Sequence, residues 1–450
     1  MSAGKALEAG ELGRAMEWLC DQQMFANWKQ HGNAGWALRP LVTMALLWSW
    51  GEQASLDRRF KAGLQVLPQL FADQEWGGTY QGFTKALIRW SAAVVAVLVV
   101  RLRCLMQHIA GDHWSIGGWV VMAVDGTRIE LAHTAENAAH FSRLPKRARN
   151  PKRKQKGTKP KERAAATPQA WLTVMWSVGL GLLWDWRQGP SESSERAHLL
   201  EMIDALPDRT LLVADAGFQG YEYWRKLLDS GHSFLIRVGA QVRLLQGLVA
   251  TRRNDIAWLW PVQARRQGLP PIVVRLIQLH DGKQPLWLAT SVVDKHQLSD
   301  NQALEIYRRR WGVEVFIRGF KQTYGRGKLR SHAPQQVELE LDWSLVGLWT
   351  VELLAIRELL ACGRQPQDLS TAQALDALRT TLCHAAHGLD HGLFSRLAAI
   401  RNDGYTRRQK SIRVWPRKKG RYKPPQGTPH LREATLLEVA TMEALTMQAA

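Results

Sequence analysis

The stretch Trp119-Val-Val-Met-Ala-Val-Asp125-Gly-Thr127 decides the fold, together with its counterpart Thr210-Leu-Leu-Val-Ala-Asp215-Ala-Gly. Each is a short apolar run rich in β-branched residues, which is typical of a buried β-strand. We expect each strand to end at its aspartate. One aspartate before a glycine is usually turn chemistry. Two of them at the ends of buried strands indicate an acidic site, because buried carboxylates are costly unless they are paired or bound to a metal.

A third acidic residue lies in the segment Tyr307-Arg-Arg-Arg310-Trp-Gly-Val-Glu314-Val-Phe-Ile-Arg-Gly-Phe-Lys321. The pattern predicts a helix over 300–321 that begins after Ser299, where the spacing is that of a capping box. Taken alone, this helix is best explained as amphipathic with a solvated charged face. At about 100° per residue, four of its polar side chains fall within about 60° of one helix face. These are Tyr307, Arg310, Glu314 and Lys321.

The three acids offer the oxygen ligands that Mg²⁺ prefers, and the nearby cations suit a polyanionic backbone. Two divalent ions about 4 Å apart can activate a water or a 3′-hydroxyl for in-line phosphoryl transfer. A zinc site in the C-terminal region is less favoured, because its candidates lack a well-spaced fourth partner set. Those candidates are Cys383, His384, His387 and His391.

These residues resemble the DDE transposases of insertion sequence family four, which are bacterial cut-and-paste enzymes. The resemblance rests on the order of the three acids and on the Tyr-x-x-Arg-x-x-x-Glu-x-x-x-x-x-x-Lys spacing, and it spans roughly residues 119–330. It implies an α/β fold with an RNase H-like mixed sheet flanked by helices. It also implies two Mg²⁺ ions, with Mn²⁺ as an alternative, held by Asp125, Asp215 and Glu314.

The resemblance further implies that Tyr307, Arg310 and Lys321 grip DNA phosphates. Trp311 matches the family pattern as a stacking surface for a base, and Arg318 joins the expected DNA-binding set. Family members stabilise a flipped base or a DNA hairpin with a β-rich insertion, in which a tryptophan is expected at the position of Leu286. Here Trp287 follows one residue later, on the opposite face of a strand, so a base-stacking role and an ordinary core role both remain open.

The formal charge of +20 and the pI of about 10.1 indicate a nucleic-acid partner. Two short segments carry almost all of the excess. Residues 143–163 contain eleven Lys or Arg against one Glu, and residues 407–423 contain nine against none. Such segments release counterions when they neutralise phosphates. The first includes Lys152, Arg153 and Lys154, which we expect to bind DNA, although a solvated tail is the alternative for any single basic run.

Composition divides the chain into four regions. Residues 1–112 lack strand signals and form an expected helical N-terminal domain for binding DNA ends, or else a purely structural cap. Residues 113–238 and 299–335 form the expected catalytic domain. Residues 239–298 form a β-rich insertion. Residues 336–450 form a helical region with a basic segment, which we expect to contribute to dimerisation and DNA binding.

The start of the chain lacks a signal-peptide pattern, and four scattered cysteines offer no disulfide framework. The most apolar stretch, Trp90 to Val100, falls short of the roughly 20 residues that span a bilayer, so a buried core helix is expected. We therefore expect a cytoplasmic, nucleoid-associated protein without a membrane segment.

The sequence predicts a metal-dependent DNA transposase. Its expected partners are double-stranded DNA, as terminal inverted repeats and as target, and a second copy in the synaptic complex. Two alternatives remain open. One is a domesticated relative that binds DNA without cutting it, and the other is a structure-specific nuclease with the same core.

Overall fold

The computed structural model describes residues 10–21, 23–29, 35–71, 76–142, 167–238, 249–253, 256–280, 285–389, 391–402 and 432–449. Both basic segments lie outside these residues. The predictions for Lys152, Arg153 and Lys154 therefore fall on a part of the chain that the structure does not describe.

A single mixed sheet of ten strands forms the centre of the molecule. Its strands lie in the order β10-β6-β7-β8-β9-β5-β4-β1-β2-β3. Helices flank the sheet, which confirms the predicted α/β class. The strands are β1 (Val120–Glu130), β2 (Gln169–Ser177), β3 (Leu182–Pro190), β4 (Thr210–Ala214), β5 (Ser233–Val238), β6 (Val249–Arg253), β7 (Ile256–Leu259), β8 (Ile272–His280), β9 (Pro285–Thr290) and β10 (Arg432–Glu433).

The helices cover both ends of the chain and connect the central strands. They are α1 (Glu11–Leu19), α2 (Leu38–Trp50), α3 (Leu56–Leu70), α4 (Tyr80–Ala110), α5 (Ala135–Phe141), α6 (Glu195–Met202), α7 (Tyr221–Asp229), α8 (Val262–Arg266), α9 (Asp300–Arg309), α10 (Trp311–Arg318), α11 (Pro334–Ala361), α12 (Thr371–Ala385), α13 (Leu393–Ala398) and α14 (Leu436–Ala449).

Three parallel strands, β1, β4 and β5, form the middle of the sheet. The ladder between β1 and β4 ends where Val124 pairs with Ala214. The next residue on each strand is an aspartate, so Asp125 and Asp215 leave the ladder at neighbouring positions. Strands β2 and β3 extend the sheet beyond β1 as antiparallel neighbours.

The prediction that Asp125 ends a strand was wrong. Strand β1 continues through Gly126 to Glu130, so the residues that follow Asp125 belong to the same strand. Gly126 is not a turn residue, because it pairs with Thr173 of β2 inside the antiparallel ladder. A glycine inside a strand often marks the close approach of another group. At Gly126 that group is the Glu195 side chain.

The predicted β-rich insertion adds its strands to the catalytic sheet. Val238 on β5 pairs with Trp287 on β9, and β8 and β7 follow as antiparallel neighbours. Strand β9 ends at Thr290. The insertion therefore lengthens the sheet on the side away from β2 and β3.

Helix α11 is the centre of the helical layer. Most of its side chains between Val337 and Leu359 are buried, and it packs against α2 and α4. The Trp50 indole donates a hydrogen bond of 2.9 Å to the Gly347 carbonyl. The apolar surface that these long helices share explains why their sequences look almost uniformly hydrophobic.

Helix α4 is less buried than its sequence predicts. One face packs against α11 and α2, while Val100 on the opposite face is 60% exposed. Within the described ranges, the segment from α4 to Trp114 is the one helix long and apolar enough to cross a membrane, and 33% of its apolar window is buried in the protein. In this structure α4 packs at the side of the helical core that it forms with α2 and α11.

Candidate active site

Asp125 is held at the middle of the sheet, half-buried next to the end of β4. Its Oδ1 accepts a hydrogen bond of 2.9 Å from the Gly126 N–H. Burial raises the pKa of the Asp125 carboxyl to about 6, and the nearby Glu314 and Asp215 carboxylates raise it further against the effects of Gly126 and Arg310. Asp125 therefore interacts electrostatically with both other predicted acids, although they lie far away in the sequence.

Asp215 directly follows β4 and begins the short 3-10 turn Ala216–Phe218. Its Oδ1 is buried and accepts no hydrogen bond from the described residues. The closest cation is Arg237 on β5, whose Nη1 lies 3.8 Å from that oxygen. A buried carboxylate oxygen without a hydrogen bond is a position where a bound cation would lower the free energy.

Glu314 is aimed at the aspartates by a helix that docks on the sheet. Helix α9 begins with the predicted capping box, in which Ser299 and Gln302 bond to each other's backbone N–H. Arg310 keeps helical backbone angles, so α9 and α10 follow one another almost without a break. The structure thus divides the single helix predicted over 300–321 into α9, α10 and a terminal wide turn.

Gly312 allows α10 to lie close to strand β2. A Cβ atom at this position would lie 2.1 Å from the Trp176 ring, too close for any side chain. Val313, Phe316 and Phe320 are buried on the docking side. The absence of a side chain at Gly312 therefore sets how near the helix, and with it Glu314, comes to the sheet.

Arg310 pairs with Glu314 within the cluster. Its Nη2 donates a hydrogen bond of 2.8 Å to Glu314 Oε1, and the Arg310 residue is only 7% exposed. The guanidinium carbon lies 5.4 Å from the centre of the Tyr307 ring. Burial raises the pKa of the Tyr307 hydroxyl, against the lowering effect of Arg310 beside it, and the Asp215 carboxylate raises it further. Tyr307 and Arg310 therefore belong to the same electrostatic cluster as the acids.

Lys321 points to a different part of β1. It lies in the π-helical turn Gly319–Thr323, and its Nζ donates hydrogen bonds to Thr127 Oγ1 at 3.1 Å and to the Arg128 carbonyl at 2.9 Å. The four side chains predicted to share one helix face thus divide into two groups. Three face the aspartates, and Lys321 contacts the strand beyond them.

Glu195 is a fourth carboxylate at the site, and the sequence analysis missed it. It lies in the first turn of α6, after the N-cap Ser194, and a Cβ added at Gly126 would lie 2.6 Å from its Oε1. Burial raises the pKa of Glu195, and Asp125 and Asp215 raise it further against Arg196. The sequence signals a helix start at Ser194, but only the packing of α6 on β1 turns its first glutamate towards Asp125.

The acids are neighbours without forming a closed metal cage. In the part of the chain that the structure describes, no three His, Cys, Asp or Glu side chains already surround a single ion position. Asp125, Asp215, Glu314 and Glu195 nevertheless influence one another electrostatically. Oxygen ligands in an open arrangement fit Mg²⁺, which retains several waters and is usually bound by few carboxylates. The residues present therefore fit the predicted cofactor.

The remaining residues predicted to contact DNA differ in how exposed they are to solvent. Trp311 is 57% exposed at the start of α10, and Arg318 is exposed at its end. Trp287 is 7% exposed on β9, so its ring is part of the core in this structure. Stacking of Trp287 on a base would require that part of the sheet to open.

The fold and the acidic cluster define the class of protein. Neighbouring strands of the mixed sheet supply two aspartates, and a docked helix supplies a glutamate that faces them. This arrangement is expected of an RNase H-like phosphoryl-transfer domain. The family described as Transposase DDE domain matches residues 118–348, which is just over half of the chain. The chain belongs to this family.

Individual relatives agree with this assignment. Over 281 residues the chain is 26% identical to "Transposase InsG for insertion sequence element IS4" of Escherichia coli (strain K12), and the match covers 60% of each protein. The chain thus spans less than two thirds of that relative's length. The predicted resemblance to insertion sequence family four is confirmed.

A solved structure is similar only at low level. The "Cryo-EM structure of piggyBac transposase synaptic complex with hairpin DNA (SNHP)" has a TM-score of 0.42 and 8% identity to this chain. The match covers 88% of this chain and 86% of that one. The fold is assigned from the strand order of the sheet.

Proposed function

We propose that this protein is a DNA transposase of the cut-and-paste type. It binds the ends of a mobile element, cleaves DNA there by metal-dependent phosphoryl transfer, and joins the freed ends to target DNA. The observation that carries the proposal is the position of Asp125 and Asp215, which directly follow the last pair of the parallel β1–β4 ladder. Membership of the transposase family supports the same chemistry.

The metal-binding residues of this proposal are Asp125, Asp215 and Glu314, with Glu195 as an additional carboxylate. They would hold two Mg²⁺ ions, or Mn²⁺ in their place. When bound, such ions polarise the scissile phosphate and lower the pKa of the attacking water or 3′-hydroxyl. The buried Oδ1 of Asp215, which accepts no hydrogen bond from the described residues, and the raised pKa of Asp125 both support a site that additional positive charge would stabilise.

We assign the positively charged side chains around the acids to DNA binding. Arg310 neutralises Glu314 and lies beside Tyr307, so its guanidinium is held where a phosphate next to the acids would lie. Exposed Trp311 offers a surface for base stacking. Other proposed contacts come from positively charged side chains around the site and in the basic segment. These are Lys321, Arg318, Lys152, Arg153 and Lys154.

Cleavage of two element ends in one complex requires a paired assembly, so a homodimer on DNA is part of the proposal. The partner DNA is double-stranded, as terminal inverted repeats and as target. The protein would act in the cytoplasm, associated with the nucleoid.

A plasmid excision assay tests this proposal. The plasmid carries the gene's own flanking DNA as the candidate element ends, and the reaction contains Mg²⁺. We expect Asp215→Asn to reduce excision at least about a hundredfold, because ligand loss removes several kcal/mol of transition-state stabilisation. The matched control is Asp208→Asn, since Asp208 is exposed and lies outside the cluster. Its excision should equal that of the wild type.

Two further results decide between the alternatives. Calorimetric titration with Mn²⁺ should show weaker binding to Asp215→Asn than to the control, independently of catalysis. Cleavage that never leads to strand transfer would identify a nuclease instead. Full excision by Asp215→Asn would refute the assignment of the acids.

A further inference from the structure

A surface cleft lies next to the acidic cluster, at the far end of strand β1. We call it the strand-side cleft. Its volume is about 470 Å³, and it is lined by Arg128, Glu130, Gln169, Trp171, Lys321 and Gly327. The DNA-binding residues expected from the sequence include only one of these, Lys321. Arg128 and Trp171 have no role in the function proposed above.

Arg128 is held in place by the strand opposite. Arg128 and Trp171 are paired on the adjacent strands β1 and β2, and the guanidinium carbon lies 5.0 Å from the centre of the indole ring. Cross-strand partners of this kind point to the same face of a sheet. A guanidinium stacked on an aromatic ring is oriented while its N–H groups remain available for a ligand.

Lys321 is oriented towards the same cleft. Its ammonium donates to Thr127 Oγ1 and to the Arg128 carbonyl, which uses two of its three N–H groups. Among the described residues, neither Lys321 nor Arg128 forms an ion pair with a carboxylate. Glu130 is the one acidic side chain in the lining. The cleft therefore presents two cations against one carboxylate.

The shape of the cleft favours a long polymer over a small molecule. Arg128 and Glu130 are both exposed, whereas pockets for small ligands bury most of the ligand surface. Arg128 follows Asp125 by three residues on β1, so on a regular strand their side chains point to opposite faces of the sheet. Lys321 connects the two sides, because it lines the cleft and also contacts Thr127, which shares the face of Asp125.

We infer that the strand-side cleft binds the sugar-phosphate backbone of DNA beside the acidic cluster, with Arg128 and Lys321 contacting phosphates and Trp171 orienting Arg128. This inference rests on the proposed transposase function. The contacts depend on charge and carry no base sequence, so they serve DNA of any sequence.

Fluorescence anisotropy with the full chain and a labelled duplex of arbitrary sequence tests the inference. Binding is measured without divalent metal across a range of salt concentrations. For Arg128→Ala we expect the slope of log affinity against log salt to become less steep by about one, the change for one lost phosphate contact. Trp171→Ala should weaken binding, and Trp171→Phe should weaken it less because a ring remains beneath the guanidinium.

Two matched variants act as controls. Glu130→Gln removes the carboxylate of the same cleft and should tighten binding. Arg225→Ala removes a cation that pairs with Asp229 on α7, outside the cleft, and should leave the slope unchanged. A wild-type protein that binds no DNA would refute the proposed function itself. Wild-type binding with the same slope for Arg128→Ala as for Arg225→Ala would overturn the inference about the cleft and leave the proposed function intact.

Discussion

The carboxylate of Glu195 lies against Gly126, the residue that follows Asp125 on β1. A Cβ atom at Gly126 would lie 2.6 Å from Glu195 Oε1 and 2.8 Å from its Cγ and Cδ. The glycine therefore leaves room for the Glu195 side chain beside the strand that carries the first acid. This contact connects an unremarkable helix start to the acidic cluster.

Gly126→Ala should disturb this contact. We expect the free energy of unfolding to fall by about 1–3 kcal/mol, because the added methyl group forces the Glu195 side chain to move, and excision should fall with it. Thermal and denaturant unfolding measure the first effect. The control is Gly319→Ala, since a Cβ at Gly319 would meet no atom within 4 Å. The double variant Gly126→Ala with Glu195→Ala should recover part of the lost stability, and the absence of any recovery would contradict the steric explanation.

Arg310→Ala should leave Glu314 without its partner. The 2.8 Å hydrogen bond joins a buried guanidinium to a partly buried carboxylate, so its loss should cost about 1–3 kcal/mol. Urea unfolding of Arg310→Ala, Glu314→Ala and the double variant would give the coupling energy of the pair. A coupling energy near zero would show that the two side chains do not stabilise each other in solution.

Glu352→Gln should change how stability depends on pH. Glu352 on α11 is 2% exposed, and burial raises its pKa from 4.5 to about 8 against a hydrogen bond of 2.6 Å from Thr371. A folded-state pKa above the unfolded value means that the group stabilises the fold at low pH. That contribution is lost as pH rises from about 4.5 to about 8, by up to about 1.4 kcal/mol per pH unit.

The measurement is the difference in melting temperature between Glu352→Gln and the wild type at several pH values. The difference should favour the variant increasingly from pH 5 to pH 8. Taking the difference cancels the titration of other groups, including Asp342, whose pKa burial raises to about 7. A difference that stays constant with pH would show that Glu352 keeps an ordinary pKa.

Ser299→Ala should destabilise the start of α9 without altering the chemistry. The Ser299 side chain accepts from the Gln302 N–H, and the reciprocal bond runs from the Ser299 N–H to Gln302. Loss of this cap should cost about 1 kcal/mol. Ser299→Asp, which retains a capping oxygen, should restore most of the stability. Equal destabilisation by both substitutions would show that the cap is not the cause.

Much of the core could be predicted, because apolar runs and capping residues are patterns of neighbouring residues in the sequence. The boundaries of β4 agree with the apolar run that ends at Asp215, and the capping box at Ser299 is present as its spacing predicts. The exception in the same sheet is β1. Gly126 looked like a turn residue, but the ladder with β2 continues through it, since a glycine in an extended strand has the same local pattern as one in a turn.

Periodicity and spacing are properties of the chain alone, so they were sufficient to predict the family, the two strands that supply aspartates and the helix that supplies Glu314. The other contacts of the site arise from the packing of the elements. It brought Glu195 against Gly126, buried Arg310 against Glu314, and directed Lys321 to Thr127 and away from the acids. These contacts depend on the distances between packed elements, and residues far apart in sequence carry no local record of those distances.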